Sequence, residues 1–168
     1  VAVNISPKQL VEKSFVTRLK EILDEVQVEP NMLEIEITEM SMMDQNEDLI
    51  SKIQNIKNIG ITISIDDFGT GYSSLSYLKQ FPVNALKIDR SFIQNISNEE
   101  SGMAMVAAII KLAHALNLEV VAEGLEELKE LQILKDHDCK YVQGYYFSKP
   151  LSVKDFTKKL EEQNLVTN

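Results

Sequence analysis

The chain is poor in the residues that build many kinds of site. Its one cysteine, Cys139, excludes an internal disulfide framework and points to a reducing compartment such as the cytoplasm. It has no tryptophan and only two histidines, His114 in an apolar helical stretch and His137 near a helix end. With no histidine at a strand end, histidine-centred metal or acid–base chemistry has no anchor. No stretch approaches the roughly 18 continuous apolar residues of a membrane span, so direct membrane insertion is not expected. Positive charge is also scarce. Seventeen Lys and Arg stand against 26 Asp and Glu, a net charge of −9 that disfavours DNA and anionic surfaces as partners. A small phosphate ligand remains compatible, because bound divalent metals reverse the local sign. There is no basic-then-apolar leader, and the sequence opens on Val1-Ala2-Val3-Asn4-Ile5 without a methionine, as if inside a strand.

What is present is an ordinary globular composition, 168 residues with 44% apolar and 26% charged, enough for one domain or most of one. Strand and helix patterns alternate throughout. Val1–Ile5 reads as a strand, and Ser6-Pro7 as the cap of one amphipathic helix running to about Val26. Met32–Ile37 is a second strand, followed by a helix over about Asn46–Asn58 that stops at Gly60. The third strand starts at Ile61, with a helix predicted over Ser73–Lys79. Ala85–Ile88, Leu118–Ala122 and part of Lys140–Phe147 complete the strands. Met103–Leu116, Leu125–Lys135 and Ser152–Gln163 complete the helices. Apolar strands each followed by a helix imply parallel βα units in an α/β fold.

The centre of the pattern is Ile61–Leu75, where alternating Ile-Thr-Ile-Ser-Ile runs into Asp66 and Asp67, then Phe68 and a hinge of Gly69, Thr70 and Gly71. Two adjacent carboxylates repel each other; either water screens them in a turn or a divalent cation holds them. The other strand ends favour the cation. They carry Asn4, Glu36, Lys87 with Asp89, Glu123 and Gln143. In a TIM-like (β/α) barrel such tips converge on one face, whereas an open sheet gathers them at a single switch point. Oxygen donors without histidine or thiolate suit Mg²⁺ or Mn²⁺, and several acids can bridge two ions for in-line phosphodiester displacement. Lys87 could then position the attacking water or offset phosphoryl charge, or simply form an internal salt bridge. Glu123 could act as the base, and Asp89 could pair with Lys87 or support it. Tyr145 could stack on a base or close the barrel. Met42-Met43 and Met103/Met105 read as core, and Glu126-Glu127 with Lys129-Glu130 as a mainly solvated helix face.

These residues carry a family resemblance. Val3-Asn4-Ile5-Ser6-Pro7, Leu33-Glu34-Ile35-Glu36-Ile37-Thr38-Glu39, Asp66-Asp67-Phe68-Gly69-Thr70-Gly71-Tyr72-Ser73-Ser74-Leu75, Leu86-Lys87-Ile88-Asp89, Val121-Ala122-Glu123-Gly124-Leu125-Glu126 and Val142-Gln143-Gly144-Tyr145 occur in order along the chain. The sequence resembles the EAL domain, a bacterial family of cyclic di-GMP phosphodiesterases. The resemblance implies hydrolysis of the cyclic dinucleotide to linear pGpG on a TIM-like barrel. It implies Asn4, Glu36 and Asp66 as ligands of one ion, with Asp66 shared with a second ion that Asp67 also binds. Lys87 would orient the water, Glu123 would act as base or metal ligand, and Gln143 would stand beside the water. Glu39 would steady the Phe68–Leu75 loop, which the family associates with dimerisation. Asp89 and Tyr145 are expected near the substrate and Glu126 in support.

The Glu-Ala-Leu motif itself is absent. The resemblance therefore makes residues 1–168 the C-terminal two-thirds of one EAL domain, an incomplete barrel of six parallel βα units without the first two strands, roughly 70 residues. This length alone is expected to be weak or inactive, with open sheet edges at Val1–Ile5 and Lys140–Phe147 and an apolar barrel interior that drives self-association or a homodimer. An upstream sensory or GGDEF-type module is expected in the parent, which such segments could anchor to a membrane. Two other readings are a non-catalytic cyclic di-GMP receptor or interaction module, and an unrelated barrel lyase or isomerase.

Overall fold

The computed structural model describes residues 1–42, 47–71, 78–94, 96–97 and 100–166. Among the described residues six strands, β1 (Ala2–Asn4), β2 (Glu34–Thr38), β3 (Thr62–Phe68), β4 (Ala85–Ile88), β5 (Glu119–Glu123) and β6 (Tyr141–Gln143), form one sheet in chain order. Every neighbouring pair is parallel. The helices are α1 (Pro7–Val11), α2 (Phe15–Val26), α3 (Glu47–Ile59), α4 (Arg90–Ile93), α5 (Glu100–Ala115), α6 (Leu128–Asp136) and α7 (Val153–Val166). The result is a half-barrel with free edges at β1 and β6, as the alternation of elements predicts.

One face of the sheet is apolar because alternate strand residues point to it. Ile35 and Ile37, Ile63 and Ile65, Leu86 and Ile88, and Val120 and Ala122 are all buried and belong to the same core as Val106, Ile109 and Ile110 of α5. The registered neighbours on the opposite, barrel face are different. Glu34 lies opposite Thr62, Glu36 opposite Ser64, Thr38 opposite Asp66, and Glu123 opposite Gln143. The expectation of an apolar barrel interior is therefore wrong: acids, hydroxyls and Lys87 dominate that face, and the apolar residues face the helices.

Several element boundaries also differ from the sequence pattern. The single helix expected to reach Val26 is two, because Glu12 turns extended (ψ 130°) and Lys52 on α3 donates to the carbonyls of Leu10 (2.6 Å) and Glu12 (3.0 Å). That ammonium satisfies carbonyls a continuing helix would have used. Helix α6 starts at Leu128 instead of Leu125, since Gly124 adopts φ +74° and a Cβ there would lie 2.3 Å from Arg90 Cβ. Strand β5 ends on Glu123, one residue later than read, and α5 begins at Glu100. Helix α4, a single turn capped by Asp89, was not anticipated. The helix expected over Ser73–Lys79 and the residue Met43 fall largely outside the described residues.

Candidate active site

Parallel strands bring their C-terminal ends to one rim, and the alternation of side chains decides which tips point inward. Lys87 on β4 does so from the centre. Its Nζ lies 2.5 Å from Glu36 Oε1 on β2, 2.6 Å from Glu123 Oε1 on β5 and 3.2 Å from Asp66 Oδ1 on β3. Lys87 and Glu36 are buried, at 5% and 8% exposure. Burial opposes the charged lysine, yet hydrogen bonds to Glu123 and Glu36 and the charges of Glu123 and Asp66 outweigh it. The pKa of Lys87 is raised, so the ammonium persists throughout the physiological range. Burial pushes the Glu123 carboxyl up; Lys87 opposes this, Asp66 and Glu36 reinforce it, and the net direction is upward.

Asp66 and Asp67 lie at a bulge where the β3–β4 register shifts between Ile65 and Phe68. Asp66 faces the barrel. Asp67 takes a left-handed φ of 55° and is exposed, toward Asp89. Burial and the charges of Asp66 and Asp89 raise the Asp67 pKa. For Asp89, burial works upward, but the Ser91 hydroxyl and N–H, both bonded to Asp89 Oδ1 at 2.5 and 3.0 Å, prevail and lower it. Regular alternation would send Asp67 to the helix face; the extra residue of the bulge returns Phe68 to the core beside Ile65 and leaves Asp67 exposed, within the field of Asp66, Asp89 and Lys87.

The loop after this pair is tied to β2's end. Glu39, buried, accepts from the N–H groups of Gly69 (2.8 Å) and Gly71 (3.4 Å). Gly69 has φ +98°, and a Cβ there would meet the Phe92 ring at 2.7 Å, so the loop passes between a carboxylate and an aromatic ring. Thr70 donates through Oγ1 to the Asp67 carbonyl. The rest of the motif, Tyr72–Leu75, lies outside the described residues.

Asn4 pairs in register with Glu36 on the exposed edge strand β1, and Gln143 with Glu123 on β6. Tyr145 follows β6 two residues after Gln143 and shares a cavity with it. That cavity, of about 640 Å³, is also lined by Phe147, Leu151 and Phe156, and Lys149 Nζ lies 5.9 Å from the Tyr145 ring centre. Glu126 is exposed. Glu130, read as part of a solvated face, is instead buried at 3% and accepts from the Glu126 and Glu127 N–H groups. The Glu127-x-x-Glu130 spacing of a capping box was the legible signal. Cys139 is a buried thiol, its pKa raised by burial.

Three carboxylates around one ammonium leave two negative charges in a poorly solvated rim. Among the described residues no three acids, histidines or cysteines form a group that could hold an ion by themselves, and the Lys87 ammonium sits among Glu36, Asp66 and Glu123. The residues nevertheless fit divalent cations. Asp66 Oδ1 is buried without a hydrogen-bond partner; its 3.2 Å approach to Lys87 lacks hydrogen-bond direction, so a lone pair remains for a further cation. The surplus charge and all-oxygen donors match a hard divalent ion.

The EAL domain model matches residues 1–150. This chain belongs to the EAL domain family. The signaling protein YkoW of Bacillus subtilis is 42% identical over 163 residues, which are 97% of this EAL chain and 20% of that protein. The cyclic di-GMP phosphodiesterase NbdA of Pseudomonas aeruginosa is 42% identical over 151 residues, 90% of this chain and 19% of NbdA. Among solved structures, the PaMucR phosphodiesterase in its c-di-GMP complex superposes with a TM-score of 0.87 at 37% identity, over 92% of this chain and 63% of that one. The Klebsiella pneumoniae BlrP1 complex with manganese and the cyclic dinucleotide gives 0.81 at 30% identity, over 89% and 38%. The EAL chain thus spans about a fifth of the length of these curated relatives. Among the described residues no helix is long and apolar enough to cross a membrane.

Proposed function

We propose that this EAL protein hydrolyses cyclic di-GMP to linear pGpG, using two Mg²⁺ or Mn²⁺ ions. The observation that carries the reading is the Lys87 cluster: one persistent ammonium among Glu36, Asp66 and Glu123, with surplus negative charge and an unsatisfied Asp66 oxygen. NbdA's name, and the cyclic dinucleotide held by PaMucR and by BlrP1, the latter with manganese, support the same substrate and metals. Asn4, Glu36 and Asp66 would hold one ion and Asp66 with Asp67 the other, Glu123 standing beside them. Bound ions would supply Lewis-acid polarisation and a more acidic water.

The protein's own groups do the rest. Lys87 orients the attacking water and offsets the negative charge that gathers on the phosphoryl oxygens. The Glu123 carboxylate receives the water proton, a task its raised pKa favours over that of an ordinary glutamate. Gln143, its registered neighbour, holds the water's other side. Glu39 keeps the Phe68–Gly71 loop, and with it Asp67, in place. Asp89 and Tyr145 meet the substrate, the tyrosine ring as a stacking surface for a guanine. The reading places the reaction in the cytoplasm, in a self-associating protein with a sensory or GGDEF-type module upstream.

The test is hydrolysis of cyclic di-GMP with Mg²⁺ or Mn²⁺, read as linear pGpG, in the unaltered chain and in Asp66→Asn. Weak turnover suffices for the comparison. A loss of at least about a hundredfold is expected in the variant, typical of removing essential electrostatic stabilisation. Undiminished activity in Asp66→Asn overturns the two-metal reading; if neither protein hydrolyses the dinucleotide, the same assay on a chain with the upstream strands restored decides, hydrolysis there supporting the enzyme and binding alone the receptor.

A further inference from the structure

We infer that Glu130 is a positioning residue that holds Glu123 and Gln143 together at the rim; the inference rests on the reading of those two residues as site groups. Glu130 belongs to α6 and touches neither of them. At 3% exposure it is one of the few buried charged side chains among the described residues, and its Oε2 accepts from both Glu126 N–H and Glu127 N–H at 2.9 Å. A carboxylate receiving two backbone donors at a helix N-terminus is a strong, directional anchor.

What it anchors is the turn immediately after Glu123. That turn is also the link to Gln143. The Leu125 N–H donates to the Gln143 carbonyl (3.1 Å), and the Leu125 carbonyl accepts from Tyr146 N–H (2.9 Å). Leu125 is fully buried, and Gly144 passes so close that a Cβ there would sit 2.1 Å from the Leu125 oxygen. On the other side Gly124 packs on Arg90, directly after Asp89. The short stretch 124–127 is therefore clamped between the β4 and β6 ends, and Glu130 closes the clamp from below. Because Glu123 and Gln143 are opposite each other in register, movement of this turn shifts one against the other.

A helix cap alone does not require any of this, so the test separates the two roles. Amide hydrogen exchange is compared in the unaltered chain, Glu130→Ala and Glu130→Gln, with Lys52→Met as a control that removes two side-chain hydrogen bonds to the carbonyls of Leu10 and Glu12, at the end of α1. Glu130→Ala is expected to speed exchange at Leu125 and Tyr146 by about tenfold or more, leaving Ile5, bonded to Glu36 across β1 and β2, unchanged. Glu130→Gln keeps an acceptor oxygen and restores protection. In the hydrolysis assay Glu130→Ala lowers kcat about tenfold with little change in KM, Gln rescues it, and Lys52→Met loses stability without losing kcat. Unchanged exchange at Leu125 and Tyr146, or an equal loss of kcat in Lys52→Met, overturns the inference. If Glu130→Ala does not fold, Glu130→Asp, which keeps the charge and withdraws the acceptor, takes its place with the same expectations. A chain that neither binds nor hydrolyses cyclic di-GMP removes the functional reading, and the exchange experiment then decides the clamp by itself.

Discussion

The two faces of this sheet are built from the same strands, one residue out of step, and they obey opposite rules. Toward the helices, Ile65, Leu86 and Ile88 are fully buried and are held by non-directional packing. Toward the barrel, Ser64, Asp66 and Lys87 are nearly as enclosed but carry charges and hydroxyls, including two buried oxygens without hydrogen-bond partners. The first face stabilises the fold. The second costs stability unless its charges are balanced, and such strain is what a ligand site stores. A slip of one residue in any strand would exchange the two sets, so the packing of one face fixes the geometry of the other.

The sharpest way to break this contrast is Lys87→Met. It strands three acids without their cation, and we expect a loss of about 3–5 kcal/mol at neutral pH by urea unfolding. The loss shrinks on acidification, because protonated carboxyls no longer need the ammonium. In the unaltered chain the sign differs. The Lys87 pKa is raised on folding, so its contribution is complete below the ordinary 10.5 and fades only as the pH climbs through the higher folded value. Stability from this residue should be flat from neutral to mildly alkaline pH and fall beyond.

The matching change on the other face is Ile65→Ala. It creates a cavity worth about 2–5 kcal/mol, measured the same way, and that loss should not depend on pH. A pH-dependent loss in Ile65→Ala would blur the distinction between the faces. Gly124→Ala tests the rim by sterics instead of charge. With φ +74° and a Cβ pressed against Arg90, it should lose more than about 1 kcal/mol of stability.

The smallest effect belongs to Asp67→Asn, which also tolerates the left-handed backbone. The Asp67 pKa is raised on folding, so its contribution is full below the ordinary 3.8 and is lost as the pH rises through the folded value. In buffer with a chelator, neutralising this carboxylate should raise Tm slightly at neutral pH, and the gain should vanish toward pH 3.8. With Mn²⁺ present the order should reverse, because the asparagine variant forfeits stabilisation by the ion.

Much of this was legible beforehand. Alternating Ile-Thr-Ile-Ser-Ile announces a strand with unlike faces, and acids at successive strand ends announce a rim. The spacing of Lys87 and Asp89 suggests one face, yet Asp89 leaves the strand to cap α4 and bonds Ser91. The break between α1 and α2 was hidden because its cause, Lys52, lies some 40 residues away. Glu130 was misread for a related reason. A charge on a helix is usually solvated, and only the returning turn at 124–127 buries this one.

Local chemistry in the sequence determined the strands, the parallel βα order and the identity of the oxygen donors, since periodicity and residue type act over a few neighbours. The tertiary structure decided which donors meet. Lys87 reaches Glu36 across 51 positions, the β3 bulge keeps Asp67 off the helix face where regular alternation would put it, and the barrel face proved polar. Those outcomes depend on strand register and backbone twist, which are set by the packing of the whole sheet against its helices and by no single stretch of chain.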